Sequence, residues 1–305
     1  MKLTTLRADL LLLVAAAIWG SGFVAQRLGA EHLSAFAYTG LRFMLGAVLL
    51  LPLLAFARWP ADVDRAASRR ATLRGGLIAG TAMLPAATAQ QHGVGATTVG
   101  NSAFITSLYV VLVPFLSILV VRAPIGRKVW TGVGLAMAGL ALMGIQRDFT
   151  VRPGDPWILL SAVLWAAHVV VVGVFSRDAE PIRMTILQLG FTGLGALAGA
   201  LACGDLGLER IEMARGAILY GAILPVAVAF TLQVIAQRKA PPTHAALIIS
   251  LESVFGMICG IILLAERPSG QQYAGAALML AGVVLSQLPA IRQTEPRRSG
   301  PRSAG

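Results

Sequence analysis

The sequence predicts an all-α integral membrane protein with ten transmembrane helices arranged as two inverted five-helix repeats. The first observation is composition: 56% of the 305 residues are hydrophobic and 13% are charged, whereas soluble domains carry about 25% charged residues. The second is a series of long apolar runs, which cross a bilayer as helices because helices satisfy their own backbone hydrogen bonds. The third is an internal repeat that relates residues 103–144 to residues 246–287.

The hydropathy of the chain separates ten apolar runs that are long enough to span a bilayer. They cover residues 9–28, 34–57, 74–93, 97–121, 129–146, 156–176, 181–203, 215–237, 243–264 and 270–289. The first run is kept as a helix because it is longer than the core of a signal peptide. The last segment, 292–305, is basic and rich in Pro and Gly, and it is predicted to be a disordered cytoplasmic tail.

Positive charge is distributed unequally between the two sets of connections. One set, which includes both termini, carries 18 Lys and Arg residues, and the other carries 6. Because cytoplasmic loops of membrane proteins are enriched in Lys and Arg, both termini are predicted to be cytoplasmic, with the chain crossing the inner (cytoplasmic) membrane. The same rule accounts for the net charge of +11, so no nucleic-acid partner is predicted.

The internal repeat relates the two halves of the chain. Residues 103–144 align without gaps with residues 246–287, pairing AFITSLYVV (103–111) with ALIISLESV (246–254), and 11 of the 42 positions are identical. A slightly larger shift pairs Asp9 with Asp155 and Trp19 with Trp165. We therefore predict two units, 1–148 and 149–291. Because each has five spans, the second enters the membrane upside down, an arrangement that is typical of transporters with a site at the midplane.

Glu252 is the central functional candidate because it lies about ten residues, or roughly 15 Å, into the run 243–264. A charge at that depth is costly unless it faces protein or water. Trp19, Trp165 and Tyr109 reach a similar depth, and His168 follows Trp165 on the same helical face. We expect these residues to line a substrate cavity, with ordinary helix packing as the alternative for each.

Further polar residues and two prolines fall on the same helices. Asn101, Gln90 and Gln233 are candidate pathway residues, although polar residues near helix ends also act as caps. Pro85 and Pro225 occupy matching positions in the third and eighth spans. Because proline breaks a helical hydrogen bond, the two are predicted to act as hinges.

Five other residues are assigned to structure. Arg42, about 12 Å into the second span, is a functional candidate by its depth, but a side chain that snorkels to the interface or anchors a helix end is the favoured interpretation. Gly132, Gly139, Gly275 and Gly282 recur in the fifth and tenth spans. They allow close helix packing, either within the monomer or at a dimer contact.

The sequence lacks HExxH, GxSxG and GxxxxGK[ST] motifs. We therefore predict no enzyme activity, no metal or cofactor, and transport driven by a gradient rather than by ATP.

Several short motifs, in this order and spacing, resemble the drug/metabolite transporter superfamily and specifically its EamA-type permeases. They are LRF (41–43), TSLYVVLVP (106–114), SLESVF (250–255) and LLAERPSGQQYAGAALMLAGVVL (263–285), and the resemblance covers residues 9–289. It implies alternating-access transport of small metabolites, often amino acids and frequently as export. The family's L-E-P-V and G-E motifs correspond here to residues 251–254 and 265–266, where Ser253 replaces the proline and Ala265 the glycine.

The combined prediction is a secondary transporter of small zwitterions in the lipid bilayer, in which Glu252 binds a proton or a substrate ammonium group. Proton coupling and the choice between monomer and homodimer stay open. One alternative is a multidrug exporter of lipophilic cations. Another is a membrane-embedded scaffold or enzyme without transport.

Overall fold

The computed structural model describes residues 5–122, 124–144, 151–264 and 267–287. Within these ranges the regular structure is helical, with no β-strand. The helices are α1 (Thr5–Ala30), α2 (Ala35–Leu50), α3 (Arg65–Gly95), α4 (Val99–Ser107), α5 (Tyr109–Val121), α6 (Arg127–Gly144), α7 (Asp155–Phe175), α8 (Pro181–Ala202), α9 (Leu208–Met213), α10 (Arg215–Gly221), α11 (Phe230–Gln237), α12 (Pro242–Ile249), α13 (Glu252–Leu264) and α14 (Gly270–Gln287). The predicted disordered tail and the Ala265-Glu266 pair lie outside the described residues.

Seven helical segments in these ranges are long and apolar enough to cross a membrane. They are Thr5–Ala30, Ala35–Ala55, Val99–Val121, Asp155–Phe175, Pro181–Ala202, Arg215–Gln237 and Pro242–Leu263. Three other helices have comparable length, but α3 begins with several arginines, and α6 and α14 are rich in Gly and carry polar first turns. The chain is thus a multi-pass, all-helical membrane protein.

The helices of the first half pack largely against helices of the second half. Helix α1 packs on α13 and α11, α2 on α8, α3 on α7 and α8, and α6 on α14. In addition, α7 packs on α4 and α5 in the way that α1 packs on α12 and α13. The sequence repeat pairs α1 with α7, α2 with α8, α3 with the segment 215–237, α4 with α12, α5 with α13 and α6 with α14. With these pairings, each contact has a counterpart among the observed contacts.

Helices α6 and α14 approach closely at two glycine pairs. A Cβ atom on Gly139 would lie 2.5 Å from the carbonyl oxygen of Gly275, and one on Gly275 would lie 2.5 Å from the carbonyl oxygen of Gly139. Gly132 and Gly282 form a similar pair, with distances of 2.8 and 2.7 Å. These glycines therefore serve packing within the monomer, because any side chain would force the two backbones apart.

Two membrane-spanning segments are interrupted at equivalent positions. Helix α4 gives way to α5 at Leu108, and α12 gives way to α13 at Ser250 and Leu251. The backbone angles there are nearly the same, φ −60° and ψ −16° at Leu108 and φ −58° and ψ −16° at Ser250. The N–H groups of Leu108 and Leu251 donate to the carbonyl oxygen three residues earlier, at 3.2 and 3.1 Å. Both breaks are thus short 3₁₀-type turns in the middle of a span.

Candidate functional site

A cavity lies where helices from both halves meet. Its volume is about 60 Å³, well below the roughly 300–1,000 Å³ that is usual for small-molecule sites, so the cavity is contracted in this structure. Eight predicted residues line it: Glu252, Trp19, Trp165, Tyr109, His168, Gln90, Gln233 and Pro225. The sequence thus identified most of the polar and aromatic side chains that the fold brings together.

Glu252 and Tyr109 occupy equivalent places beside the two helix breaks. Tyr109 is the first residue of α5 and Glu252 the first residue of α13, and both side chains are buried. The hydroxyl groups of Tyr109 and Ser107 face the Glu252 carboxylate, but neither completes a well-formed hydrogen bond with it. Within the described residues, Oε1 of Glu252 and the hydroxyl of Tyr109 have no hydrogen-bond partner.

The Ser107 side chain bridges the two interrupted spans, and Ser253 supports the same carbonyl group from within its own span. The Ser107 hydroxyl donates to the carbonyl oxygen of Ser250 at 3.3 Å, and the Ser253 hydroxyl donates to the same oxygen at 2.9 Å. That carbonyl lies at the helix break, where the regular α-helical bonding is interrupted, so the serine hydroxyls supply bonds there. Glu252 is therefore held at the start of α13 by neighbours from both halves of the chain.

Aromatic rings form one wall of the cavity, with Phe230 at their centre. Its ring centroid lies 5.0 Å from that of Trp19, 5.8 Å from that of Trp165 and 5.8 Å from that of His168. The indole N–H of Trp19 donates to the carbonyl oxygen of Pro225 at 2.9 Å, and that of Trp165 donates to Oε1 of Gln90 at 2.9 Å. Both indoles are thus fixed in orientation and present ring surface to the cavity.

Phe230 was missed as a site residue in the sequence. Aligning Pro85 with Pro225 pairs Gln90 with Phe230, each five residues after its proline. Both residues line the cavity. The repeat therefore could have identified Phe230 from the position of Gln90. Gln26 and Thr106 line the cavity as well, and they were also missed.

His168 is fully buried, and its Nε2–H donates to Oε1 of Gln188 at 2.9 Å. Its ring also lies edge-on to that of Trp165, with centroids 5.4 Å apart. His168 and Glu252 line the same cavity without a hydrogen bond between them. The histidine is therefore placed as a cavity wall rather than as an acid–base partner of the carboxylate.

Arg42 is also part of the cavity wall, and its interpretation as a snorkelling side chain is wrong. Only 4% of the residue is exposed, and it lies in the middle of α2. Its guanidinium carbon is 5.1 Å from the ring centroid of Tyr38 and 5.0 Å from that of Phe43. Its side chain is held inside the protein because α8 and the segment 222–229 pack over α2.

Two predicted residues lie away from the cavity lining. The amide of Asn101 donates to the Thr97 hydroxyl at 3.5 Å, near the start of α4. Pro85 is inside α3, which continues through it without interruption. A pathway role for Asn101 and a hinge at Pro85 stay predictions. Pro225, in contrast, lies in a π-helical segment, 222–229, whose wider turns locally distort the eighth span.

Matching polar ties lie near the starts of α1 and α7. At the start of α1, Oδ1 of Asp9 accepts a hydrogen bond from Nε2 of His244 at 2.8 Å. At the start of α7, Oδ1 of Asp155 accepts one from the Thr97 hydroxyl at 2.6 Å. Asp9 and Asp155 are equivalent in the repeat, so each half contributes the acidic member of one tie.

Comparisons with known proteins agree over nearly the whole chain. The model of the EamA-like transporter family matches residues 6–145 and 152–288. An uncharacterized transporter from Archaeoglobus fulgidus is 30% identical over 283 residues, which is 93% of this chain and 86% of that protein. The uncharacterized transporter YetK from Bacillus subtilis is 25% identical over 288 residues, 90% and 85% of the two chains. A solved structure titled "Crystal structure of protein" superposes with a TM-score of 0.70 at 18% identity, covering 92% of this chain and 96% of the other.

Proposed function

We propose that this chain, which belongs to the EamA-like transporter family, is a secondary transporter of small zwitterionic metabolites, amino acids or close relatives. Net export across the cytoplasmic membrane is the direction proposed. The observation that carries the proposal is the central cavity, in which a buried carboxylate with an unpartnered oxygen lies among aromatic rings. Family and relatives point to a transporter rather than an enzyme.

The transport mechanism we infer is alternating access between two inverted five-helix halves, 1–148 and 149–291, with ten spans. Two observations support it. The helix contacts are preserved when each helix is exchanged for its equivalent, and the fourth and ninth spans break at matching positions beside the cavity. Discontinuous helices at corresponding places in two halves mark the substrate site in many transporters, because they can rearrange around a fixed ligand.

Glu252 is the group to which we assign cation binding. An ammonium group needs an anionic acceptor and gains from ring faces within about 6 Å, and the cavity offers the carboxylate together with Trp19, Trp165 and Phe230. A proton can occupy the same carboxylate. If proton and ammonium compete for it, inward proton movement drives export of the solute.

The second candidate function is multidrug export of lipophilic cations. The specific observation that favours it is the aromatic wall around Phe230, since flat apolar cations stack on such surfaces. Competition separates the two: a quaternary ammonium compound should displace a bound amino acid if both use Glu252, and should be transported itself if cations are the true substrates.

Solute uptake into proteoliposomes tests the proposed function. Wild type, Glu252→Gln and the exposed control Glu209→Gln are compared with a panel of labelled amino acids, including leucine, with and without a pH gradient. We expect wild type and Glu209→Gln to move an amino acid faster with the gradient. Glu252→Gln should lose the response to the gradient, because an amide cannot take up the proton, and its remaining solute exchange should be slower, because a neutral amide binds the ammonium group less tightly.

Two results would count against the assignment. If Glu252→Gln responds to the gradient as wild type does, Glu252 carries no coupling proton. If wild type moves no amino acid but moves a quaternary ammonium dye, the cavity serves lipophilic cations and the second function replaces the first.

A further inference from the structure

We propose that Arg42 binds the carboxylate of the transported solute while Glu252 binds its ammonium group, so the cavity selects amino acids through both charged ends. This deepens the proposed function and rests on it. It assigns a specificity role to a residue whose sequence context favoured a structural one.

Arg42 is buried without a counter-charge. The residue is 4% exposed and lines the cavity. Among the residues that the structure describes, it forms no ion pair and no hydrogen bond, and its Nε is enclosed without a partner. Guanidinium groups stay charged in proteins. A buried charge of this kind is strongly unfavourable until an anion joins it.

The neighbours of Arg42 position the guanidinium but do not neutralise it. The rings of Tyr38 and Phe43 lie close to its central carbon, at 5.1 and 5.0 Å. The Tyr38 hydroxyl is occupied, since it donates to the carbonyl oxygen of Ala217 at 3.0 Å. Stacked rings hold the planar fork in one orientation and leave its N–H groups for an acceptor. A carboxylate is one of the acceptors that match two parallel N–H groups, and it is the one that an amino acid carries.

The cavity also contains the opposite charge, held apart from Arg42. Glu252 lines the same cavity and has an unpartnered buried oxygen, Oε1. Arg42 and Glu252, both within the described part of the chain, do not form an ion pair across the cavity. A solute that carries both an ammonium and a carboxylate group would neutralise both at once. A simple cation or a simple anion would leave one charge buried and unpaired.

A ligand series tests this with four purified proteins in lipid nanodiscs: wild type, Arg42→Gln, Arg42→Lys and the exposed control Arg210→Gln. Each is titrated with leucine, leucinamide, 3-methylbutylamine and 4-methylpentanoate, and binding is measured by calorimetry. We expect wild type and Arg210→Gln to bind leucine at least about 30-fold more tightly than leucinamide or the amine, because those two leave the guanidinium unpaired. The acid 4-methylpentanoate should also bind weakly, because it leaves Glu252 unpaired.

In Arg42→Gln, the affinity for leucine should fall at least about 30-fold, whereas the affinity for 3-methylbutylamine should change less than about threefold, since only the carboxylate contact is lost. Arg42→Lys should keep part of the preference for leucine over leucinamide, because the lysine ammonium group attracts a carboxylate but does not form the bidentate pair. Retained amine binding in Arg42→Gln shows that the cavity is intact.

The outcomes against the proposal are distinct from those against the proposed function. If wild type binds leucine and leucinamide equally, or if Arg42→Gln weakens all four ligands alike, Arg42 acts on the fold and the carboxylate site is rejected while amino-acid transport stands. The wild-type series decides this even if the variants fail to fold. If wild type neither binds leucine nor moves any amino acid of the panel, both proposals fall.

Discussion

Replacing Gly139 by Ala is expected to separate α6 from α14 and lower the stability of the protein. The new Cβ would lie 2.5 Å from the carbonyl oxygen of Gly275 and 2.8 Å from the backbone N of Met279. Ordinary contact begins at 3.4 Å, so the backbones must move apart by 0.9 Å (3.4 minus 2.5). Overpacking of this kind costs about 1–3 kcal/mol, and the better helix propensity of Ala returns up to about 1 kcal/mol. The net loss therefore lies between about 0 and 3 kcal/mol, and its midpoint of about 1.5 kcal/mol corresponds to a fall in Tm of roughly 3–6 °C.

The measurement is thermal unfolding in detergent, followed by intrinsic fluorescence at one heating rate. The matched control is Gly134→Ala, on the same helix, where a Cβ would meet nothing within 4 Å. Its Tm should equal or slightly exceed that of wild type. Gly275→Ala should lower the Tm about as much as Gly139→Ala. The loss of stability in the double variant should be smaller than the sum of the two single losses, because both side chains force the same separation of the helices. Equal Tm values for Gly139→Ala and Gly134→Ala would refute the close contact between α6 and α14.

Two further predictions concern the cavity and its ends. Trp19→Phe should weaken leucine binding about 3- to 10-fold, because it removes part of the cavity wall and the indole hydrogen bond. The control Trp157→Phe, at a half-exposed position, should leave leucine binding unchanged. Binding is measured by calorimetry, and equal effects of the two substitutions would exclude Trp19 from the site. Asp9→Asn and Asp155→Asn should each weaken one of the two polar ties. The probe is a Thr106→Cys substitution in the cavity lining, made in a background without Cys203 and Cys259. Its labelling rate by an impermeant reagent added from one side should change about 3- to 10-fold, in opposite directions for the two variants. Changes in the same direction would show that the ties do not oppose each other.

The repeat made much of the site predictable from the sequence alone. Once Trp19 is paired with Trp165 and Tyr109 with Glu252, their common depth follows from the rise of a helix, about 1.5 Å per residue. All four line the cavity. The depth of a residue in the membrane depends mainly on its position along the helix, so spacing in the sequence is sufficient to estimate it.

Rotation about the helix axis and local helix irregularity were harder to predict. The interpretation of Arg42 failed because the direction of a long side chain depends on which helices cover it, and that is decided by tertiary packing. The helix breaks carried a visible signal, the Ser-Leu pair shared by 107–108 and 250–251. Proline is the commonest cause of an interruption, so the sequence pointed to Pro85 and Pro225 instead. Pro85 shows that a helix can continue through a proline.

The interleaving of the two halves also constrains how the protein is made. Gly139 on α6 packs against α14, which lies near the end of the chain. At about 5–20 residues per second, synthesis of residues 140–282 takes roughly 7–30 s, and α6 waits that long for α14. Early in that time Arg42 and Gln90 still lack second-half neighbours such as α8 and Trp165, and they are in a half-built bundle within lipid. We expect this interval to be the step at which the growing chain depends most on the membrane insertion machinery.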